Sequence, residues 1–199
     1  MTGAATLFAG TASANPMPGM EVSDENSSCT AGFAAQGGDG QYYLLTSGHC
    51  DQGDGSQWSD AGDAPLGRIV ASENNGDDHD AAMLLLDPLV GVPNGNVDGR
   101  YRVRDVLTVF EIRVGMPFCK VGARTGETCG TVTAVQPNLV TTNLFSLEGD
   151  SGSPGFVMNS DGTVSAVGIL QGGPDGDDNT TDFILVGPLL RQWGLRILP

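Results

Sequence analysis

Short runs rich in β-forming residues, each closed off by Gly, Asp, Asn or Pro, dominate this chain and leave little room for helix. They are Tyr42–Thr46, Gly67–Ala71, Ala81–Leu86, Leu107–Val114, Gly130–Val135, Val140–Thr142, Gly155–Met158, Val164–Leu170 and Phe183–Val186. Regularly spaced strands of this length, with turn signals between them, predict an all-β barrel or sandwich. The 30 glycines, about twice average usage, supply the turns. Helical periodicity shows only at Pro188–Gly194, a short helix opened by proline and stopped by glycine. A chain of 199 residues holds one large domain or two small ones sharing a cleft. The Gly/Asn/Arg stretch around Val92–Arg104 is the natural connection between two halves, and no internal repeat is visible.

Charge and composition narrow the function classes. Acidic residues number 24 against 9 basic ones, a net charge of −15 that repels phosphate backbones and argues against a nucleic-acid partner. No apolar run reaches the eighteen or so residues of a membrane span. The acidic clusters Asn74–Asp78 and Asp175–Asp178 read as solvated loops; calcium is the alternative, without the spacing of an EF-hand. At the start, Gly3–Gly10 is small and apolar, and Ala12-Ser13-Ala14 before Asn15 has the form of a signal-peptidase site. The basic n-region is missing, so a plain Ala/Gly/Thr leader is the other reading. Residues 1–14 are therefore expected to be a signal-peptide remnant, with export and a mature chain beginning near Asn15. Four cysteines, Cys29, Cys50, Cys119 and Cys129, suit two disulfides in an exported protein and zinc or redox work in a cytosolic one.

Three stretches carry candidate chemistry. In Glu148-Gly149-Asp150-Ser151-Gly152-Ser153-Pro154, flanking glycines permit a tight turn that exposes the serine hydroxyl and aims the amides of Gly149 and Ser151 at one spot, where an oxyanion could sit. A plain Gly/Ser turn is the bland alternative. Upstream, Leu44-Leu45-Thr46-Ser47-Gly48-His49-Cys50 places one of two histidines at the end of an apolar strand, and serine is a poor nucleophile until an imidazole takes its proton. Asp80, directly before the buried-looking Ala81–Leu86, is the candidate carboxylate that orients the imidazole. Asp77, Asp78 and His79 read as loop residues.

Taken together, these blocks resemble the chymotrypsin-like (trypsin-like) serine proteases, and among them the small secreted actinobacterial type of streptogrisins and α-lytic protease. The resemblance runs from about Cys29 to Leu198, in the order His49, Asp80, Ser151. Cys119-Lys120-Val121-Gly122 and Thr125–Val132 add the bacterial branch's second cysteine pair, and Trp193-Gly194-Leu195 the end of its C-terminal helix. It implies a double six-stranded antiparallel β-barrel with a short C-terminal helix. The implied division is an N-terminal segment at 15–28, a first barrel at 29–105 and a second at 106–199. It also implies disulfides Cys29–Cys50 and Cys119–Cys129, and a buried pair of Lys120, the chain's sole lysine, with Asp150. A zinc site from Cys29, Cys50, His49 and His79 is the rival use of these residues, without the usual ligand spacing. No metal or other cofactor is expected.

The implied activity is a secreted serine endopeptidase, monomeric, with a polypeptide substrate and no nucleic-acid or membrane partner. The alternative is an inactive or weak relative that binds peptides or a partner protein in the cleft. A calcium-binding adhesion module rests on the acidic loops alone. By the same resemblance Phe145, Ser146, Glu148, Leu170, Gln171, Gly172 and Gly173 are the substrate-binding positions. Departures from the pattern are Ser153 in place of a glycine, a missing third disulfide with Phe145 at its first position, and Gln171 where a serine usually supports the aspartate. No acid stands at the expected pocket base. Glu148 at the rim would draw a basic side chain, while Phe145 and Leu170 would favour a small or apolar one. Only some 28 residues precede Cys29, too few for a long folding pro-segment, so the expectation is unaided folding or a start trimmed in this sequence.

Overall fold

The structure, a computed structural model, describes residues 15–75 and 79–199. The expected leader at 1–14, and Asp77 and Asp78, lie outside the described residues. In chain order the strands are β1 (Glu21–Ser23), β2 (Ser28–Thr30), β3 (Ala34–Gly37), β4 (Tyr42–Thr46), β5 (Trp58–Asp60), β6 (Pro65–Asn74) and β7 (Asp80–Leu86). They continue with β8 (Val103–Val106), β9 (Pro117–Gly122), β10 (Gly126–Val135), β11 (Leu139–Thr142), β12 (Pro154–Met158), β13 (Val164–Gly172) and β14 (Thr181–Leu185). Helix α1 (Val186–Trp193) and strand β15 (Leu195–Ile197) end the chain. Among the described residues these strands form two barrel-like sheets, β15-β3-β4-β7-β6-β5-β1-β2 and β12-β9-β10-β11-β14-β13-β8. The second curls far enough for β12 to pair with β13.

Alternation along the strands produces three apolar clusters. Leu44 and Leu84 enter the first sheet's core with Trp58 and Leu66, and Phe118, Val140 and Phe183 fill the second. Their neighbours Leu45 and Ala81 face the other way, into a third cluster with Val121, Phe156, Ile169 and Leu189 that joins the two sheets. The seam between the sheets is therefore itself a packed core, a firm base for residues reaching across it. Helix α1 buries Val186, Leu189 and Leu190, and Gly194 ends it at φ +64° with its amide donating to the Leu190 carbonyl. No helix of the described residues is long and apolar enough to cross a membrane.

Several details depart from the sequence reading. Leu107–Val114 is a series of turns rather than a strand, because the Thr108 amide and hydroxyl both donate to the Glu111 carboxylate, at 2.9 and 2.8 Å. Phe110 and Val114 are consequently exposed, and Ile112 alone of the run is buried. The helix begins at Val186, two residues before the proline. The edges of the expected division shift as well. Strand β1 from the N-terminal segment joins the first sheet, β8 pairs with β13 in the second, and β15 returns to pair with β3 in the first.

Disulfide Cys29–Cys50 closes a sequence separation of 21 residues, while Cys119–Cys129 links directly opposed residues of β9 and β10. Replacing Cys29 and Cys50 with alanine should lower folding stability by about 3 kcal/mol in equilibrium urea denaturation, chiefly by freeing the unfolded loop.

Candidate active site

His49 sits in a single 3₁₀ turn, Gly48–Cys50, at the end of β4. Glycine is needed just before it: a Cβ on Gly48 would lie 1.7 Å from the Glu73 carbonyl oxygen and 2.9 Å from the Ala81 amide. The turn is thus pressed onto β6 and β7, where Asp80 begins the latter strand. One oxygen of Asp80 accepts the His49 amide at 2.7 Å, and the other lies 2.7 Å from His49 Nδ1. An ionised carboxylate can only accept, so Nδ1 donates to it, and in the neutral imidazole Nε2 is then the nitrogen with the lone pair. Asp80 is buried, and the imidazole is 37 % exposed. His79 is exposed beside them. Cys29 and Cys50 lie close to His49, but their sulfurs are bonded to each other, which removes two ligands from a zinc reading.

Ser151 belongs to the other sheet's loop and is tied to the first sheet by main chain. Its carbonyl accepts the Thr30 amide at 2.7 Å, and the Gly149 carbonyl accepts the Thr30 hydroxyl at 2.8 Å. Ser47, buried directly before the histidine turn, donates to the Leu170 carbonyl at 2.5 Å, which also takes the Gly152 amide at 2.8 Å. Close approach at the seam also demands glycine at 152, where φ is +91° and a Cβ would lie 2.2 Å from the Thr30 carbonyl oxygen and 2.3 Å from Thr46 Oγ1. The Ser151 hydroxyl donates to no group among the described residues, His49 included. Around it the amides divide in two. Those of Asp150, Gly152 and Ser153 donate to the carbonyls of Leu147, Leu170 and Asp150, whereas those of Gly149 and Ser151 have no acceptor among the described residues.

The Asp150 side chain organises this turn. Its carboxylate accepts the amides of Arg124 and Thr125 at 3.0 Å each, that of Leu147 at 3.1 Å, the Thr125 hydroxyl at 2.6 Å and Lys120 Nζ at 3.1 Å. Lys120 and Asp150 are both fully buried, and Lys120 also reaches the Thr125 hydroxyl and the Gly126 carbonyl. Burial alone would raise the Asp150 pKa, but the Thr125 hydroxyl, the Leu147 amide and the Lys120 charge together hold it below its ordinary value. Burial pushes the Lys120 ammonium down, against the pull of Asp150. Ser153, buried where a glycine was expected, donates to the Asp150 carbonyl at 2.6 Å and so closes the same turn.

A cavity of about 400 Å³ opens beside Ser151. Of the expected substrate-binding positions, Ser146, Glu148, Leu170, Gly172 and Gly173 line it, and Phe145 and Gln171 do not. Leu144 fills the second core while Phe145 beside it is exposed, and Gln171 falls at a register shift of β13 between the lining residues Leu170 and Gly172. Gln171 also gives Asp80 no hydrogen bond; both partners of that carboxylate are on His49. What the sequence reading missed is the opposite wall, Asp175–Asp178 and Thr180, whose composition is that of a solvated loop. Thr30 and Thr125, the two hydroxyls that fix the serine turn, carry no mark in the sequence either.

No family model matches the chain. It is 30 % identical over 183 residues to an uncharacterized protein of Mycobacterium tuberculosis, covering 84 % of this chain and 80 % of that one. Among solved structures, Nocardiopsis protease superposes with a TM-score of 0.77 at 28 % identity, covering 94 % of this chain and 100 % of that one. An α-lytic protease homologue superposes with a TM-score of 0.71, also at 28 % identity, covering 90 % and 97 %. These structural neighbours, at TM-scores of 0.71 to 0.77, are chymotrypsin-like serine proteases of actinobacteria. This chain's two barrel-like sheets, single short helix and seam are those of that protease fold.

Within this protease fold the buried pair has a measurable signature. Asp150→Asn leaves the Lys120 charge unpaired and should cost about 3–5 kcal/mol near neutral pH. Because the folded pKa of Asp150 lies below its ordinary 3.8, its contribution is present above about pH 4 and lost as pH falls through the lower folded value. Urea melts of the two proteins should therefore converge on acidification; a difference independent of pH would contradict this assignment.

Proposed function

We propose that this chain is an exported serine endopeptidase that hydrolyses polypeptides through an acyl-enzyme. The observation that carries the reading is the pair of unengaged amides, Gly149 and Ser151, on the loop that bears the serine hydroxyl. Such donors, held in advance of the reaction, match the needs of a tetrahedral oxyanion. The Asp80–His49 arrangement supplies the complementary base.

In this mechanism Ser151 Oγ attacks the scissile carbonyl while His49 Nε2 takes its proton, and Asp80 stabilises the imidazolium that forms. The Gly149 and Ser151 amides hold the negative oxygen. Collapse breaks the C–N bond, His49 returns the proton to the leaving amine, and an acyl ester remains on Ser151. Water, deprotonated by His49, then attacks the ester and frees the carboxylic acid and the serine. The Ser151–His49 hydrogen bond would close on substrate binding, as catalytic hydrogen bonds in free enzymes often do. Export is part of the proposal, since two disulfides persist best in an oxidising compartment.

A fluorophosphonate probe should label Ser151 in the native chain and fail with Ser151→Ala or His49→Ala. Peptide turnover should drop by about 10⁴–10⁶-fold in either variant. A folded native chain that resists labelling would favour the peptide-binding alternative.

A further inference from the structure

We infer that the cavity beside Ser151 receives a cationic side chain, so that the enzyme cuts after lysine or arginine. This rests on the endopeptidase reading and adds a substrate class to it. The cavity's lining contains Glu148, Asp175, Asp177 and Asp178, and no lysine, arginine or histidine. Apart from Ser151, its remaining polar side chains, Ser146 and Thr180, offer hydroxyls. Its apolar side chains are Leu147, Leu170 and Pro174; Phe145 stands outside, and the glycines at 172, 173 and 176 bring no side chain. A Cβ on Gly172 would meet nothing within 4 Å, so the room there is real space for a guest.

The acidic wall is held in place. The Ser146 amide donates to the Asp178 carbonyl at 2.9 Å, bracing the loop against the opposite side of the cavity. Asp177 accepts the Thr180 hydroxyl at 2.7 Å and the Asn179 amide at 3.0 Å, which keep its pKa low and its charge on. None of the four acids has an ion-pair partner among the described residues. Nor do their carboxylates gather in a group of three close enough to hold one metal ion. Negative charge spread along a wall suits an extended organic cation better than a compact ion. Arg124 lines a neighbouring cavity with Glu21, Ser28, Gly149 and Glu148; Glu148 is common to both, while Arg124 itself is not among the residues lining the acidic one.

The test is digestion of a mixed peptide library by the full chain, with cut sites read by mass spectrometry, alongside fluorophosphonate labelling. Lysine and arginine should precede the cut at least about tenfold more often than leucine, phenylalanine or glutamate. In Asp175→Asn/Asp178→Asn, and separately in Glu148→Gln, the ratio of kcat/KM for a lysine substrate over its leucine analogue should fall several-fold, and in the native enzyme added salt should lower the same ratio. A labelled enzyme that cuts after apolar or acidic residues, or whose ratio ignores these variants, overturns the pocket assignment alone. A native chain that neither labels nor cuts overturns the endopeptidase reading beneath it.

Discussion

Lys120 and Asp150 meet at 3.1 Å with no solvent contact, and the geometry of the serine loop follows from that meeting. A buried ion pair is weak evidence for net stability, because desolvation offsets much of the attraction. Its value here is positional. Five donors converge on one carboxylate from Lys120, from the Arg124–Thr125 turn and from Leu147, so the backbone between Leu147 and Ser153 has little choice of path. With the Asp150, Gly152 and Ser153 amides occupied, those of Gly149 and Ser151 are left without an internal acceptor among the described residues. A Cβ on Gly122 would lie 2.1 Å from the Asp150 carboxylate, which shows how closely strand β9 is built around it.

The second constraint is the seam. A serine on one sheet and a histidine on the other are useful together only if the sheets cannot slide. Apolar packing resists separation but specifies register poorly. Directional bonds supply the register: Thr30 grips the serine loop by two groups, and Ser47 anchors to Leu170 across 123 residues of sequence. Thr30 Oγ1 also accepts the Ala123 amide, so a single hydroxyl couples β2 to both loops that enclose Asp150. Glycine at 48 and 152 lets backbone approach backbone at the two points where a side chain would force the halves apart.

Much of this was legible in the sequence, and the rest was hidden for physical reasons. Runs such as Tyr42–Thr46 and Ala81–Leu86 are apolar almost throughout because these strands pack on both faces, so the β content and the strand ends bearing His49 and Asp80 could be read directly. Strand β9 gives no such signal, since a lysine inside it reads as a surface residue until its partner is known. Thr30 and Thr125 look like any other threonines; their partners lie far off in the chain or within a turn whose shape depends on Asp150. Gln171 stands between lining residues of its strand, a place that denies it the pocket role its position in the sequence implies. The loop at Asp175–Asp178 reads the same whether it faces water or a cavity, and only the β13–β14 hairpin, braced against Ser146, decides which.

The acidity itself has a local origin. Asp39, Asp51, Asp54, Asp161 and Asp177 each accept the amide two residues ahead, a turn that a short carboxylate closes well. Short strands require many turns, and building them with aspartate accumulates negative charge as a consequence. The arginines that counter it pair elsewhere, Arg100 with Asp98 and Glu127, Arg104 with Asp105 and Asp161. At Asp177 the same turn chemistry falls on a wall beside Ser151, where no arginine among the described residues answers it. A device that elsewhere only shapes a loop there also fixes the sign of the potential in the cavity, so that turn-making and recognition of a cation draw on one carboxylate.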